Sequence, residues 1–169
     1  AMSRKLAEDV LAAAREKGVR IALAESCTGG MAAAEMTSIP GSSDVFDRGF
    51  VTYSNDAKRE MLGVSEATLA ACGAVSAETA REMAEGALTA SQADLAVAIT
   101  GIAGPDGGTA EKPVGLVWFA VAARGHATHA KHRIFTGFGR TTVRKAATET
   151  ALRLLLSSLG RGHLDDSTM

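Results

Sequence analysis

Ala24-Glu25-Ser26-Cys27-Thr28-Gly29-Gly30 breaks the chain between two kinds of periodicity. Before it, the apolar run from Val19 to Ala24 has the character of a buried strand. After it, a helical pattern starts near Met31. A serine therefore stands on a sharp strand-to-helix turn, with two glycines that let the backbone bend and approach a ligand closely. The amides that follow lie at a helix N-terminus, where they lack intrahelical acceptors and attract negative charge. Such a turn suits either a nucleophile with an oxyanion hole or a phosphate cradle.

The same alternation extends outward in both directions. Upstream, Leu6, Val10, Leu11 and Ala14 share one helical face, and Gly18 is placed to end that helix. Downstream, Pro40-Gly41-Ser42-Ser43 has loop composition, and Phe50 to Tyr53 is a short run of β-formers. Helical pattern resumes at Asn55, and Ser65 and Ser76 are positioned as N-caps with Glu66 and Glu78 in the following first turns. Ala80, Met83, Ala84, Ala87 and Leu88 keep helical spacing, and Leu95 to Ile99 has the unbroken apolar character of a central strand. Two adjacent strands, Gly115 to Ala123 and His129 to Phe135, precede a last helix over Thr141 to Leu159. This order predicts an α/β fold: a three-layer α/β/α sandwich on a mixed, mostly parallel sheet of about five strands. Residues 1–160 read as one domain and 161–169 as a polar, disordered tail.

Strand carboxyl ends bind ligands in sheets of this type. Two glycine-rich turns leave such ends, one at Ser26 and one at Thr100-Gly101-Ile102-Ala103-Gly104-Pro105-Asp106-Gly107-Gly108, so both are expected to share a cleft. The second loop lacks the Gly-Lys-Ser/Thr of a phosphate-binding loop and the G-x-G-x-x-G of a dinucleotide fold. Its glycines allow the backbone to fold around an anion or a carboxamide.

A serine hydroxyl needs a base within reach to act as a nucleophile. His126, His129 and His132 cluster on a late strand away from both turns, fit no metal spacing, and read as a solvated edge. Lys58, a few residues after the Phe50–Tyr53 run, is the other base available, provided burial lowers its pKa. Tyr53 is the only tyrosine and stands where it could relay a proton or orient the serine. Cys27 is a rival nucleophile or a small packing residue. Arg140 and Arg144 flank the start of the last helix, where an arginine could clamp a phosphate or serve the structure.

Composition narrows the classes. With 169 residues, 46% of them hydrophobic, the chain can bury one substantial core. Its 18 basic and 19 acidic residues nearly cancel, which argues against a nucleic-acid surface or polybasic membrane patch. No apolar stretch nears the ~20 residues of a membrane span, and no secretory leader is apparent, so a cytoplasmic location is expected. The two cysteines, Cys27 and Cys72, give no disulfide framework.

Four segments in order carry a family resemblance: the Ala24–Gly30 turn, Gly49-Phe50-Val51-Thr52-Tyr53-Ser54-Asn55, Gly73-Ala74-Val75-Ser76 and the Gly101–Gly108 loop. From about Leu6 to Leu159 the chain resembles the C-terminal domain of the competence/damage-inducible CinA proteins, a domain that also occurs alone as a nicotinamide-nucleotide amidase. The resemblance implies an α/β/α sandwich that hydrolyses the carboxamide of nicotinamide mononucleotide to nicotinate mononucleotide and ammonia, a step of pyridine nucleotide salvage. It implies Ser26 as nucleophile, Lys58 as base and Tyr53 beside them. Cys27, Thr28, Gly29 and Gly30 of the first turn, Thr100, Gly101 and Gly104 of the second, and Arg144 on the phosphate would bind the substrate. No metal or organic cofactor is implied.

The N-terminal domain of larger relatives, akin to molybdopterin-binding proteins, does not occur in this chain, so a stand-alone amidase is expected. Where relatives carry Gly-Asp-Arg before the last helix, this chain has Gly137-Phe138-Gly139-Arg140, one residue longer and without the acid, a departure that touches the role of Arg140 more than that of Arg144. A homodimer is the expected assembly. The competing class is a nucleotide-binding regulatory module in which both glycine turns cradle phosphates without catalysis.

Overall fold

Large and small apolar residues alternate along the central strands, and this alternation sorts the helices into layers. The computed structural model describes residues 1–160; the expected tail at 161–169 lies outside them. Strand β1 (Ile21–Glu25), β2 (Phe46–Val51), β3 (Leu95–Gly101), β4 (Leu116–Ala123) and β5 (His129–Ile134) form one sheet in the order β2-β1-β3-β4-β5. β1 is parallel to β2 and β3, whereas β4 is antiparallel to both β3 and β5. All strands but β4 thus run one way, as the sequence pattern predicts.

One sheet face presents Ile21, Leu23, Val97, Ile99 and Phe119, and the other presents Ala22, Ala24, Ala96, Ala98, Ala120 and Ala122. Helices α1 (Met2–Lys17), α2 (Met31–Thr37) and α6 (Arg140–Ser158) cover the bulky face. The alanine face leaves room for α5 (Ala77–Thr89), which lays Ala80, Met83, Ala84 and Ala87 directly on it. Helices α3 (Asn55–Leu62) and α4 (Glu66–Cys72) pack outside α5. Gly18 ends α1 in a left-handed conformation, and Ser65 and Ser76 cap α4 and α5 by accepting from the third amide along, as their positions predict.

The second strand is displaced from its expected place. Phe50 to Tyr53 contains the β-formers, but the ladder runs from Phe46 to Val51 through polar Asp47 and Arg48. β2 is an edge strand paired only with β1, so it need not be apolar. Its polar side chains instead staple the end of α5: Asp47 accepts from the Gln92 amide (2.9 Å), and Arg48 donates to the Ala90 carbonyl (3.0 Å). The apolar run before Ser26 also starts its ladder later than expected, at Ile21. The Pro40 loop holds a 3-10 turn over Ser42–Asp44.

Gly86 lets α3 end against α5. A methyl group on it would stand 1.9 Å from the Leu62 carbonyl oxygen, part of the rigid backbone. Gly86→Ala is therefore expected to destabilise the fold by about 2–3 kcal/mol despite alanine's better helix propensity. Urea unfolding checks this; an unchanged midpoint would mean that the helices separate freely.

Candidate active site

β1 delivers Glu25 and Ser26 to the carboxyl edge of the sheet, where the Ser26 amide donates to the Ile99 carbonyl of β3 (2.9 Å). Glu25 is 1% exposed, and its carboxylate folds over the start of α2. Oε1 accepts from the Thr28 hydroxyl (2.6 Å) and the amides of Gly30 (3.2 Å) and Ala32 (3.0 Å), and Oε2 from the Ala33 amide (2.9 Å). An acid at a helix N-terminus satisfies both its own burial and the orphan donors. The consequence corrects the sequence-based expectation: at the start of α2 the amides of Gly30, Ala32 and Ala33 are taken by the protein's own acid and that of Met31 by the Thr28 carbonyl, so they form neither phosphate cradle nor oxyanion hole.

Lys58 arrives from the other side. β2 turns at Thr52, whose amide donates to the Glu25 carbonyl (2.8 Å), and Ser54 caps α3 through the Ala57 amide. One turn into α3, Lys58 points back under the sheet edge and is 1% exposed. Its Nζ donates to Ser26 Oγ (3.0 Å) and to the Thr52 carbonyl (2.8 Å). Burial pushes the Lys58 amine down to about 8, only weakly opposed by the nearby Cys27. Burial pushes the Cys27 thiol up to about 11, which leaves it a protonated packing residue, not a thiolate nucleophile.

Around this pair lies a cleft of about 270 Å³. Ser26, Cys27 and Lys58 form its floor, and Thr100, Gly101 and Gly104 form one wall. The Thr100 hydroxyl donates to the Ala74 carbonyl (2.8 Å), joining that wall to the segment Ala74–Val75. Tyr53 and Arg140 close the remaining side: Arg140 donates to the Gly104 carbonyl (2.8 Å) and to the Tyr53 hydroxyl (3.0 Å). Ile102, Ala103, Asp106 and Gly107 complete the lining. Among the described residues, no group of three or more His, Cys, Asp or Glu side chains could hold a metal ion.

The two glycine turns meet at one cleft, but not every expected residue reaches it. Thr28 is fully buried with its hydroxyl on Glu25, and neither it nor Gly29 or Gly30 lines the space. Arg144 also lies outside the lining. Its guanidinium is engaged behind the turn by the carbonyls of Cys27 (2.9 Å) and Thr28 (3.3 Å), whereas Arg140, one helical turn earlier, faces the cleft. The sequence reading passed over Ala74, Val75, Ile102, Ala103, Asp106 and Gly107 as site residues. They fall inside two of the four resemblance segments, which was their only signal.

The model of the CinA C-terminal domain matches residues 3–159 of the chain. The chain belongs to the CinA C-terminal domain family. Within that family it is 55% identical over 152 residues to the nicotinamide-nucleotide amidohydrolase PncC of Escherichia coli K12, covering 89% of this chain and 91% of that protein. It is 48% identical over 157 residues to a putative competence-damage inducible protein of Caldicellulosiruptor saccharolyticus, and spans 38% of that longer chain. The crystal structure of competence/damage inducible protein CihA from Agrobacterium tumefaciens superposes with a TM-score of 0.91 at 50% identity, covering 95% of this chain and 97% of that one. The fold of this CinA domain, including its single reversed strand, is that of an open α/β sheet. No described helix is long and apolar enough to cross a membrane.

Proposed function

We propose that this CinA domain is an amidase that converts nicotinamide mononucleotide to nicotinate mononucleotide and ammonia through a Ser26 nucleophile and a Lys58 base. The observation that carries this reading is the buried 3.0 Å contact between an amine pushed down to about 8 and a hydroxyl at the cleft floor. The high identity to a nicotinamide-nucleotide amidohydrolase supports the substrate.

Neutral Lys58 keeps an N–H on the Thr52 carbonyl and turns its lone pair to the Ser26 hydroxyl. It takes the Ser26 proton as Oγ bonds to the carboxamide carbon. The carbonyl oxygen becomes an oxyanion, for which the Cys27 amide at the cleft floor is the donor proposed. Collapse of the tetrahedral intermediate breaks the C–N bond, and ammonia leaves with the proton carried by Lys58. Water, deprotonated by Lys58 in turn, then cleaves the acyl ester and restores Ser26.

The substrate carries a cationic ring and an anionic phosphate, and the cleft carries one carboxylate, Asp106, and one guanidinium, Arg140. This pairing moves the phosphate role from Arg144 to Arg140. Tyr53, 61% exposed and hydrogen-bonded to Arg140, orients that guanidinium more directly than it serves the serine.

Incubating the purified protein with nicotinamide mononucleotide tests the reading. Ammonia and nicotinate mononucleotide are expected in equal amounts, with an acyl adduct on Ser26 in rapidly quenched samples by intact mass. Tight binding without ammonia would favour the regulatory module.

A further inference from the structure

The turn after Ser26 commits its polar groups in a pattern that singles out two amides. The Ser26 carbonyl accepts from the Gly29 amide (3.0 Å), and the Thr28 carbonyl from the Met31 amide (3.0 Å). Arg144 takes the carbonyl of Cys27 through Nε and adds a second bond to that of Thr28. Glu25 takes the amides of Gly30, Ala32 and Ala33. Among the described residues, the amides of Cys27 and Thr28 are left without a carbonyl or carboxylate acceptor, and of these two residues Cys27 alone lines the cleft.

The carbonyl that Arg144 holds and the amide at the cleft floor belong to the same residue, Cys27, so the guanidinium fixes the orientation of the residue that carries the donor. Gly29 shows that this approach is close. It has φ 59°, and a methyl group on it would stand 3.1 Å from Arg144 Nη2. The glycine makes room for the guanidinium as much as for the bend.

We propose that Arg144 is a positioning residue: by bridging the Cys27 and Thr28 carbonyls, it fixes the turn whose Cys27 amide, at the cleft floor, receives the oxyanion formed on Ser26 attack. The substrate arm of its test rests on the amidase reading above; the acylation arm does not. In the latter, Ser26 Oγ bonds to the acetyl carbon of p-nitrophenyl acetate, p-nitrophenolate leaves, and Lys58 receives the serine proton. The probe carries neither phosphate nor pyridine.

Intact-mass measurement of Ser26 acetylation in wild type and Arg144→Lys between pH 7 and 9 is the test. Lysine keeps the charge but lacks the planar fork that spans two carbonyls. Acylation is expected to slow about tenfold, less than the ~10²–10³ cost of deleting an oxyanion donor, with its pH midpoint unmoved because Lys58 is untouched. With nicotinamide mononucleotide, kcat should fall by a similar factor while KM stays within about twofold. Where Arg144→Lys fails to fold, Gly29→Ala crowds the retained arginine and carries the same comparison. Equal acylation rates overturn the proposal, as does a rise in KM for the nucleotide with acylation unaffected, which would make Arg144 a phosphate ligand. No acylation of wild-type Ser26 also overturns it. A wild type that acylates, with the expected Arg144 dependence, but releases no ammonia from nicotinamide mononucleotide ends the amidase reading and supports this one.

Discussion

Ser26→Ala is expected to lower ammonia release from nicotinamide mononucleotide by about 10⁴–10⁶-fold, with the dissociation constant for the substrate changed less than about threefold. The variant loses one oxygen atom at the cleft floor. Lys58 keeps its bond to the Thr52 carbonyl, and the Ser26 amide keeps its bond to Ile99, so the turn retains its anchor. On the proposed reading, substrate binding depends on the walls, through Arg140, Asp106 and the Gly101–Gly104 segment, and not on the deleted oxygen. Steady-state kinetics beside calorimetric titration separates the two quantities. Turnover within tenfold of wild type would remove Ser26 as nucleophile and leave direct attack by water.

Lys58→Met is expected to cut kcat by about 10³–10⁴-fold, at the upper end of what a general base supplies, and at the same time to raise stability near neutral pH. The sign follows from linkage. An ordinary lysine holds its proton up to about 10.5, whereas folded Lys58 releases it at about 8, so between these values the unfolded chain binds more protons. Wild-type stability therefore rises as pH increases from 8 to 10.5, and the full burial penalty applies below 8. That penalty is about 3 kcal/mol by the usual conversion, and losing the Thr52 hydrogen bond offsets roughly 1 kcal/mol of the gain.

The Tm advantage of Lys58→Met should thus be largest at pH 6–7 and vanish toward pH 10.5. Lys58→Arg, which cannot deprotonate, should be inactive and less stable at every pH. Wild-type kcat/KM should rise with pH through about 8. Thermal melts across this range decide the matter; a Tm difference independent of pH would mean that Lys58 is not the group whose proton is displaced.

Much of this architecture was legible from residue patterns. The Ile-Ala-Leu-Ala and Leu-Ala-Val-Ala-Ile alternations mark strands buried on both faces, and serines and glycines mark the helix ends. β2 was misplaced because an edge strand tolerates Asp47 and Arg48, whose partners lie on a segment more than forty residues away. Ser26 and Lys58 were visible as a nucleophile and a base of suitable type, but the burial that prepares the lysine depends on tertiary packing. The role of Glu25 was not legible, since the backbone amides it binds leave no mark in a sequence. Arg140 and Arg144 stand one turn apart on α6, and only the path of the loop before the helix determines which of them opens on the cleft.

The reversal of β4 has a consequence for how such a domain changes over time. Because β3 returns through a hairpin and not through a helix, the Ile102–Gly115 connection can lengthen or shorten without repositioning any helix layer. The floor of the cleft is locked into the core by Glu25 and Lys58, while the stretch beside it is held at its two ends and by two side-chain bonds, Arg140 to the Gly104 carbonyl and Lys112 to the Cys72 carbonyl. Relatives that accept bulkier or leaner nucleotides are therefore expected to differ first in that hairpin, with the chemistry inherited intact.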